Sequence, residues 1–259
     1  MKRLTLPLLA LIPALYVAPL MASNLMVEGQ VQTPGEYAWR DGLRLLDLTT
    51  SAGVSDNSWP LGAALLRESA EPDQRKLKAG VLFDLGTARV KAATIGDNSL
   101  TDLLSDLQEQ VQRMPITGRI QAEMNPLKQR LARYNPLLEP GDHLVYPANP
   151  GTIKVTGAVT ATCTLDFVSG LRPQRYIDQC PRHWVANPDE IYLIQPDGAV
   201  TRLGVASWNS EDAWLAEGGM IYVPLRAALF SDSGNTFNNE MAALLATQYT
   251  GVEASADHE

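Results

Sequence analysis

The 259-residue sequence has only two cysteines and three histidines, which leaves few of the side chains that usually build a metal centre. It also lacks the short motifs of common enzyme classes, because no G-x-S-x-G, H-E-x-x-H or phosphate-binding P-loop pattern occurs. Cations are outnumbered, with 21 Lys and Arg against 29 Asp and Glu and a formal net charge of −8. Non-specific binding to nucleic acid or anionic lipid needs the opposite sign of charge. We therefore expect no catalytic residues, no cofactor, no metal and no nucleic-acid partner.

The only long apolar run lies at the N-terminus, where Lys2 and Arg3 precede residues 4–21 and Leu20-Met21-Ala22 offers a small residue for cleavage. This pattern predicts a secretory signal peptide over residues 1–22. A membrane anchor is disfavoured, because three prolines interrupt the run and its core is shorter than the roughly 20 residues that span a bilayer. Loss of Lys2 and Arg3 takes the net charge from −8 to −10. We expect an exported, soluble chain that is not embedded in a membrane.

One passage of the sequence occurs twice. Val27-Glu28-Gly29-Gln30-Val31 returns 128 residues later as Val155-Thr156-Gly157-Ala158-Val159. The same offset aligns Tyr37 with Leu165, Trp39 with Phe167, Leu43 with Leu171, Pro60 with Pro188 and Leu65 with Leu193. The closing passages, residues 141–147 and 218–224, match at an offset of only 77, so the first copy carries 51 more residues than the second. We interpret the chain as a duplicated small domain with an insertion in its first copy.

Each copy is predicted to contain a hairpin, a short helix and further strands, which is a β-grasp order within an α+β protein. In the first copy, the turn Thr33-Pro34-Gly35-Glu36 forms the hairpin and Ala52-Gly53 ends the helix. Its strands are predicted at residues 26–32, from Tyr37, and at 63–67, 80–85 and 143–146. Those of the second copy are predicted near residues 153–159, 165–168, 191–195, 200–204 and 220–223.

A helical hairpin is predicted in the insertion at about residues 97–135. Apolar residues recur at helical spacing from Leu100 to Val111 and again from Ile120 to Tyr134. The predicted divisions are a signal peptide (1–22), a first β-grasp domain (23–149), a second (150–228), a C-terminal amphipathic helix (229–250) and a disordered tail (251–259).

The apolar face of the C-terminal helix has more than one interpretation. Phe237, Met241, Leu244 and Leu245 share this face. It either packs on the domains of the same chain or binds a partner, and self-association is a further hypothesis.

Both cysteines lie in the second copy, with Cys163 at the position of Gly35 and Cys180 at that of Ala52. In an exported protein, two cysteines at this spacing are expected to form a disulfide bond between the hairpin turn and the end of the following helix. The alternative is a metal site that includes His183, but the other two histidines are far away in the sequence and closed sites use four ligands.

Several passages resemble a known family. The pattern Val27-x-Gly29-x-Val31-x-x-Pro34-Gly35-x-Tyr37, followed by Leu46-x-Leu48 and Ala52-Gly53, resembles the soluble-ligand-binding β-grasp (SLBB) module of bacterial polysaccharide exporters. The whole arrangement resembles the GfcC-type capsule biosynthesis family, as do Pro136-Leu137-x-x-Pro140-Gly141-Asp142 and Ala206-x-Trp208-Asn209. The second copy departs from the module, because cysteines replace its turn glycine and the alanine at its helix end.

The resemblance implies a periplasmic accessory protein for assembly or export of a capsule or other exopolysaccharide. The implied partners are an outer-membrane polysaccharide exporter, associated lipoprotein or barrel proteins, and the polysaccharide itself. Our first hypothesis is a non-catalytic binding module, and the alternative is an enzyme that trims or modifies the glycan.

Three residues are candidates for binding. Arg119 follows Thr117-Gly118, where a guanidinium can bind a carboxylate or phosphate through two parallel hydrogen bonds. The alternative is an ion pair that holds the helical hairpin to the first β-grasp domain. Trp208, beside Asn209, is the tryptophan best placed to stack on a sugar ring.

Overall fold

The computed structural model describes residues 24–54, 58–230 and 234–251. The predicted signal peptide and all of the predicted tail except Gly251 lie outside the described residues. None of the helices in the described part of the chain combines the length and the hydropathy needed to span a lipid bilayer.

The chain forms two five-stranded sheets, one from each copy of the repeat. The strands of the first sheet are β1 (Leu25–Gly29), β2 (Gly35–Tyr37), β3 (Ala64–Leu66), β4 (Arg119–Ile120) and β5 (His143–Tyr146). Those of the second sheet are β6 (Thr152–Gly157), β7 (Cys163–Asp166), β8 (Glu190–Ile194), β9 (Val200–Gly204) and β10 (Met220–Val223). The spatial orders are β2-β1-β5-β3-β4 and β7-β6-β10-β8-β9, so the two sheets have the same topology.

The register of the sheets confirms the duplication. Val27 lies opposite Leu144 in the parallel pair β1 and β5, and Val155 lies opposite Ile221 in the parallel pair β6 and β10. These are the residues that the two sequence offsets equate. The prediction of two tandem β-grasp domains in an α+β protein is therefore correct.

A glycine ends the first strand of each copy for a steric reason. Gly29 and Gly157 have φ angles of +91° and +101°, a region that side chains disfavour. A Cβ on Gly29 would lie 2.1 Å from the carbonyl oxygen of Tyr146, and one on Gly157 would lie 2.3 Å from that of Val223. Only a glycine lets the neighbouring strand approach this closely.

The helices are α1 (Leu45–Ser51), α2 (Glu71–Thr94), α3 (Asn98–Arg113), α4 (Pro126–Gln129), α5 (Pro173–Ile177) and α6 (Gly234–Ala246). Short 3-10 turns lie at Glu68–Ala70, Ala132–Tyr134 and Ala227–Leu229. Helices α1 and α5 are equivalent, since each follows the hairpin of its copy. Helices α2 and α3 form the helical hairpin of the insertion.

The insertion differs from the prediction in position and content. It occupies residues 67–118, between β3 and β4, where the second copy has only residues 195–199 between β8 and β9. The predicted strand at 80–85 is wrong, because these residues lie within α2. The predicted helix over 120–134 is also wrong, because Ile120 belongs to β4 and the residues after it form only α4 and one 3-10 turn. The hairpin therefore ends at Arg113, and an extended segment leads from it to β4.

The inserted hairpin packs against the second sheet. One hydrophobic core contains Val81 and Leu85 of α2, Leu104 of α3, Ile191 of β8 and Ile221 of β10. The first sheet has a separate, smaller core. Residues inserted in the first domain thus complete the core of the second.

Helix α6 belongs to the same core. Phe237, Met241, Leu244 and Leu245 are all at most 1% exposed, and α6 packs on α2, β8 and β9. Of the alternatives for this helix, the structure shows packing within the chain.

The predicted disulfide bond is present. Cys163 at the start of β7 is bonded to Cys180, which follows α5. The first copy holds the equivalent hairpin and helix together with hydrogen bonds, because the Thr33 N–H donates to the Ala52 carbonyl at 3.0 Å. The disulfide bond therefore adds a covalent link where the first copy relies on hydrogen bonds.

Replacing both cysteines by alanine is expected to lower the free energy of unfolding by about 3 kcal/mol, because the unfolded chain regains the entropy of an open loop. Chemical denaturation of the mature protein and of the Cys163→Ala/Cys180→Ala variant would measure this difference. Added reductant should destabilise the wild type alone. Equal stability of the two proteins would contradict the prediction.

Candidate functional site

The Pro140-Gly141-Asp142 passage forms a turn whose buried carboxylate, that of Asp142, is paired with Arg67. The Arg67 Nε and Nη2 groups donate to the two carboxylate oxygens of Asp142 at 2.8 and 2.7 Å, and Nη1 lies 2.9 Å from Glu139 Oε1. Asp142 is 1% exposed. The hydrogen bonds that Arg67 donates to Asp142 raise the pKa of Arg67 in spite of desolvation. This turn therefore fixes β5 beside β3. Both carboxylate oxygens of Asp142 already accept hydrogen bonds from Arg67.

Arg119 lies in β4, at the junction of three parts of the chain. Its Nη1 group donates to the carbonyl oxygens of Gln248 at 2.8 Å and of Ala246 at 3.3 Å, at the end of α6. Its Nη2 group donates to Pro196, in the turn between β8 and β9, at 2.5 Å and to Ala63, before β3, at 3.3 Å. One guanidinium thus joins the first sheet, the second sheet and the C-terminal segment.

Burial changes the electrostatics of this guanidinium. Desolvation lowers the pKa of Arg119 to about 10, and electrostatic interactions with Asp197 and Tyr249 oppose part of this shift. The group is still cationic at neutral pH. Its hydrogen bonds go to backbone carbonyls, which differs from the ion pair considered from the sequence. Ligand binding by Arg119 stays a prediction, and a ligand would have to replace these bonds.

A buried glutamine completes the junction. Gln74 Oε1 accepts hydrogen bonds from the backbone N–H groups of Thr117 at 3.0 Å and Gly118 at 2.7 Å. Its Nε2 group donates to Thr247 Oγ1 at 2.8 Å and to the Pro115 carbonyl at 3.3 Å. One amide of α2 therefore holds the extended segment before β4 against the end of α6. No sequence pattern indicated this role of Gln74, because its hydrogen-bond partners are far apart along the chain.

A tryptophan forms a second contact between the domains. The indole of Trp59 packs so closely on Gly62 and Gly218 that a Cβ would lie 2.0 Å from the ring at Gly62 and 2.2 Å from it at Gly218. Gly62 belongs to the first domain and Gly218 to the second. Trp59 is therefore a structural residue of the junction.

Trp208 and Asn209 lie in the loop of residues 205–217, which follows β9. Asn209 fixes the beginning of this loop, because its Oδ1 accepts from Ala206 N–H at 3.0 Å and its Nδ2 donates to the Asp189 carbonyl at 3.1 Å. Trp208 is 76% exposed. The two candidates are thus neighbours with different tasks, since the asparagine holds the turn from which the indole projects.

Trp214 is a further exposed indole of the same loop, which sequence reasoning did not single out. It is 67% exposed, while the adjacent Leu215 is buried in the core. The side chain of Gln195 fixes this end of the loop by donating to the Trp214 carbonyl at 2.8 Å and accepting from Ala216 N–H at 3.0 Å. The loop of residues 205–217 therefore exposes two indoles, and the side chains of Asn209 and Gln195 fix its backbone by hydrogen bonds.

His183 is engaged in local hydrogen bonds. Its Nε2 lies 2.9 Å from Ser99 Oγ, and its Nδ1 accepts from Val185 N–H at 3.3 Å. The disulfide bond consumes both cysteines. Among the residues that the structure describes, no three His, Cys, Asp or Glu side chains are grouped so that they could hold a metal ion.

Two sheets of one topology, a helical hairpin inserted in the first and a shared core define a tandem β-grasp protein. Its two halves match the family models described as capsule biosynthesis GfcC, N-terminal, over residues 24–150 and capsule biosynthesis GfcC C-terminal over residues 162–250. The chain therefore belongs to the GfcC capsule biosynthesis family, and this membership implies a role in capsule biosynthesis. The chain is also similar to the uncharacterized protein YjbG of Escherichia coli strain K12, with 25% identity over 202 residues that cover 78% of this chain and 80% of that protein.

Proposed function

We propose that the protein is a periplasmic accessory factor in the assembly or export of a capsule or other exopolysaccharide, and that it binds glycan without catalysing a reaction on it. Membership of the GfcC family supports a role in capsule biosynthesis. The signal-peptide pattern of residues 1–22 supports a periplasmic location. An outer-membrane exporter, with its lipoprotein or barrel proteins, is the protein partner that this role requires.

The loop of residues 205–217 is the observation that carries the glycan-binding proposal. Trp208 and Trp214 expose most of their indole surface to solvent, although burial of an aromatic ring is strongly favourable. Flat aromatic faces stack on the apolar faces of sugar rings. Because Asn209 and Gln195 fix the loop, little conformational entropy is lost when a glycan binds.

A titration of the mature protein with oligosaccharides from the capsule of its own bacterium would test glycan binding. We expect the intrinsic tryptophan fluorescence to change on binding, and the Trp208→Ala substitution to weaken affinity about tenfold or more, which corresponds to a loss of one stacking contact. Trp184→Ala is the matched control, because Trp184 is also exposed but lies outside this loop. Equal affinity of wild type and Trp208→Ala would reject the role of the loop.

The alternative of a glycan-modifying enzyme has a separate test. Incubation of the purified polysaccharide with the mature protein, followed by analysis of released or altered sugars, is expected to show no turnover. Turnover that disappears in an Arg119→Lys variant with unchanged folding would overturn the non-catalytic proposal. Residual activity in that variant would indicate a contaminating enzyme.

A further inference from the structure

The loop of residues 205–217 carries acidic side chains between its two exposed indoles. Glu211 and Asp212 lie between Trp208 and Trp214 in the sequence, and both acidic residues are exposed. The loop contains no Lys, Arg or His. Because a chain extends by at most about 3.6 Å per residue, the Cα atom of Glu211 lies within about 11 Å of both tryptophan Cα atoms. A sugar stacked on either indole is therefore close to negative charge.

The acidic part of this loop has a fixed position. The Glu211 N–H donates to the carbonyl of Gly204, the last residue of β9, at 3.2 Å. A Cβ on Gly204 would lie 2.1 Å from the Asn209 carbonyl oxygen, so the loop packs directly on the end of the strand. The middle of the loop is thus anchored to the second sheet, and the backbone of Glu211 is held beside the indoles.

The cations next to this loop are already paired with carboxylates. The Nη2 group of Arg172, just before α5, lies 3.4 Å from Asp212 Oδ1. Arg202 of β9 forms an ion pair with Glu190. Within the described part of the chain, Glu211 forms no ion pair, so the loop keeps a net negative charge.

Arg119 lies near the other end of the loop. It donates to the carbonyl of Pro196, next to the Gln195 side chain that holds Trp214. Its guanidinium is buried, and its other hydrogen bonds also go to backbone carbonyls. An anionic ligand at the loop would therefore have to displace existing bonds to reach a cation.

We infer that the glycan bound by this loop is uncharged, and that Glu211 and Asp212 select it against polysaccharides built from acidic sugars. The inference rests on the proposed glycan-binding function. Neutral sugars present hydroxyl groups, and carboxylates are strong acceptors of the hydrogen bonds that hydroxyls donate. A uronate would instead bring its own carboxylate close to like charges.

The discrimination is expected to depend on salt. The Debye length is about 30 Å at 0.01 M ionic strength and about 8 Å at 0.15 M, so salt screens the repulsion between the loop and an acidic sugar. We expect the neutral glycan to bind about tenfold more tightly than its acidic counterpart at 0.01 M salt, and the difference to shrink at 0.15 M. Stacking on the indoles should change little over this range.

Two forms of one oligosaccharide provide the test. In one form, the carboxyl groups of capsule oligosaccharides from the protein's own bacterium are reduced to primary alcohols. In the other, the primary alcohols are oxidised to carboxylates, which gives uronates of the same length and linkage. Calorimetric titration of the mature protein with each form at both salt concentrations measures the two affinities.

The double variant Glu211→Gln/Asp212→Asn tests the two carboxylates, because it keeps their size and acceptor oxygens but removes their charge. We expect its affinity for the uronate form at 0.01 M salt to rise about tenfold, and its affinity for the neutral form to stay within about twofold of the wild type. Asp102→Asn/Asp106→Asn is the matched control, because it removes two exposed charges from α3. It should change neither affinity.

The outcomes separate this inference from the proposed function. Binding of neither form would overturn glycan binding and this inference with it. Equal or tighter binding of the uronate form by the wild type would overturn the inference alone, as would unchanged discrimination in Glu211→Gln/Asp212→Asn. An equal effect of the α3 control would also overturn it, because the charge of the whole protein would then explain the selection.

Discussion

Alanine at Gly157 is expected to lower the free energy of unfolding by about 4 kcal/mol, one of the largest effects of any single methyl group in this protein. Two costs add at this position. The φ angle of +101° is strained for any side chain. The added Cβ would also lie 2.3 Å from the Val223 carbonyl oxygen and 2.7 Å from the Tyr222 ring, so β10 would have to move away from β6.

Gly170→Ala separates these two costs. Gly170 has a similar φ of +77°, but a Cβ there would meet nothing within 4 Å. Its substitution should therefore cost only the backbone strain, about 1 kcal/mol. Urea denaturation of the two variants and of the wild type measures the difference. Equal decreases in the free energy of unfolding for Gly157→Ala and Gly170→Ala would show that the steric contact with β10 adds no cost at residue 157.

Replacing Arg119 by methionine is expected to lower the free energy of unfolding by roughly 3 kcal/mol and the midpoint of thermal unfolding by about 6–12 °C. Methionine keeps most of the apolar volume but donates no hydrogen bonds. The carbonyls of Gln248, Pro196 and Ala63 would lose their common donor within the junction. Because these carbonyls belong to three segments, the loss should also loosen the end of α6.

Calorimetry together with limited proteolysis measures both effects. We expect Arg119→Met to be cut near residues 246–251 sooner than the wild type. Arg130→Met is the control, because Arg130 is an exposed arginine of the first domain. If Arg119 served only a ligand, Arg119→Met would keep the stability of the wild type and lose binding alone. Unchanged stability and unchanged proteolysis would thus refute the structural role.

The repeat predicted much of the fold because equivalent positions meet the same steric requirement. Gly29 and Gly157 occur at the same point of the two copies since each faces the carbonyl of a parallel neighbour. The offset of 128 therefore equated β1 with β6, β2 with β7 and β3 with β8, whereas β4 was not predicted. The pairing of Cys163 and Cys180 was predicted from their spacing in an exported protein, and the structure shows this disulfide bond.

The insertion was harder to predict because α2 lacks a one-sided apolar stripe. Gly80 and Gly86 interrupt its pattern, and exposed Phe83 and Val90 lie opposite buried Val81 and Leu85. A short part of such a helix looks like a buried strand in the sequence. Ile120 and Met124 pack in the core of the first sheet, whereas Leu127 and Leu131 are exposed, so these residues do not share one buried helical face.

The sequence indicated individual residues as candidates but not the environment of each side chain. The Thr117-Gly118-Arg119 passage indicated a special arginine, but its acceptors at residues 196 and 246–248 come from distant parts of the chain. Periodicity could not distinguish exposed Trp214 from structural Trp59, because neither lies in a regular strand or helix. For these residues the decisive information is long-range packing.

The position of the inserted hairpin limits how this protein can evolve. In a chain of independent modules, each domain can be lost, exchanged or duplicated again without harm to its neighbour. Here, α2 and α3 are encoded within the first copy but fill the core of the second. A recombination event near residue 150 would leave the second sheet without part of its interior. The two copies must therefore be inherited together, and their substitutions must remain mutually compatible although each retains a complete sheet of its own.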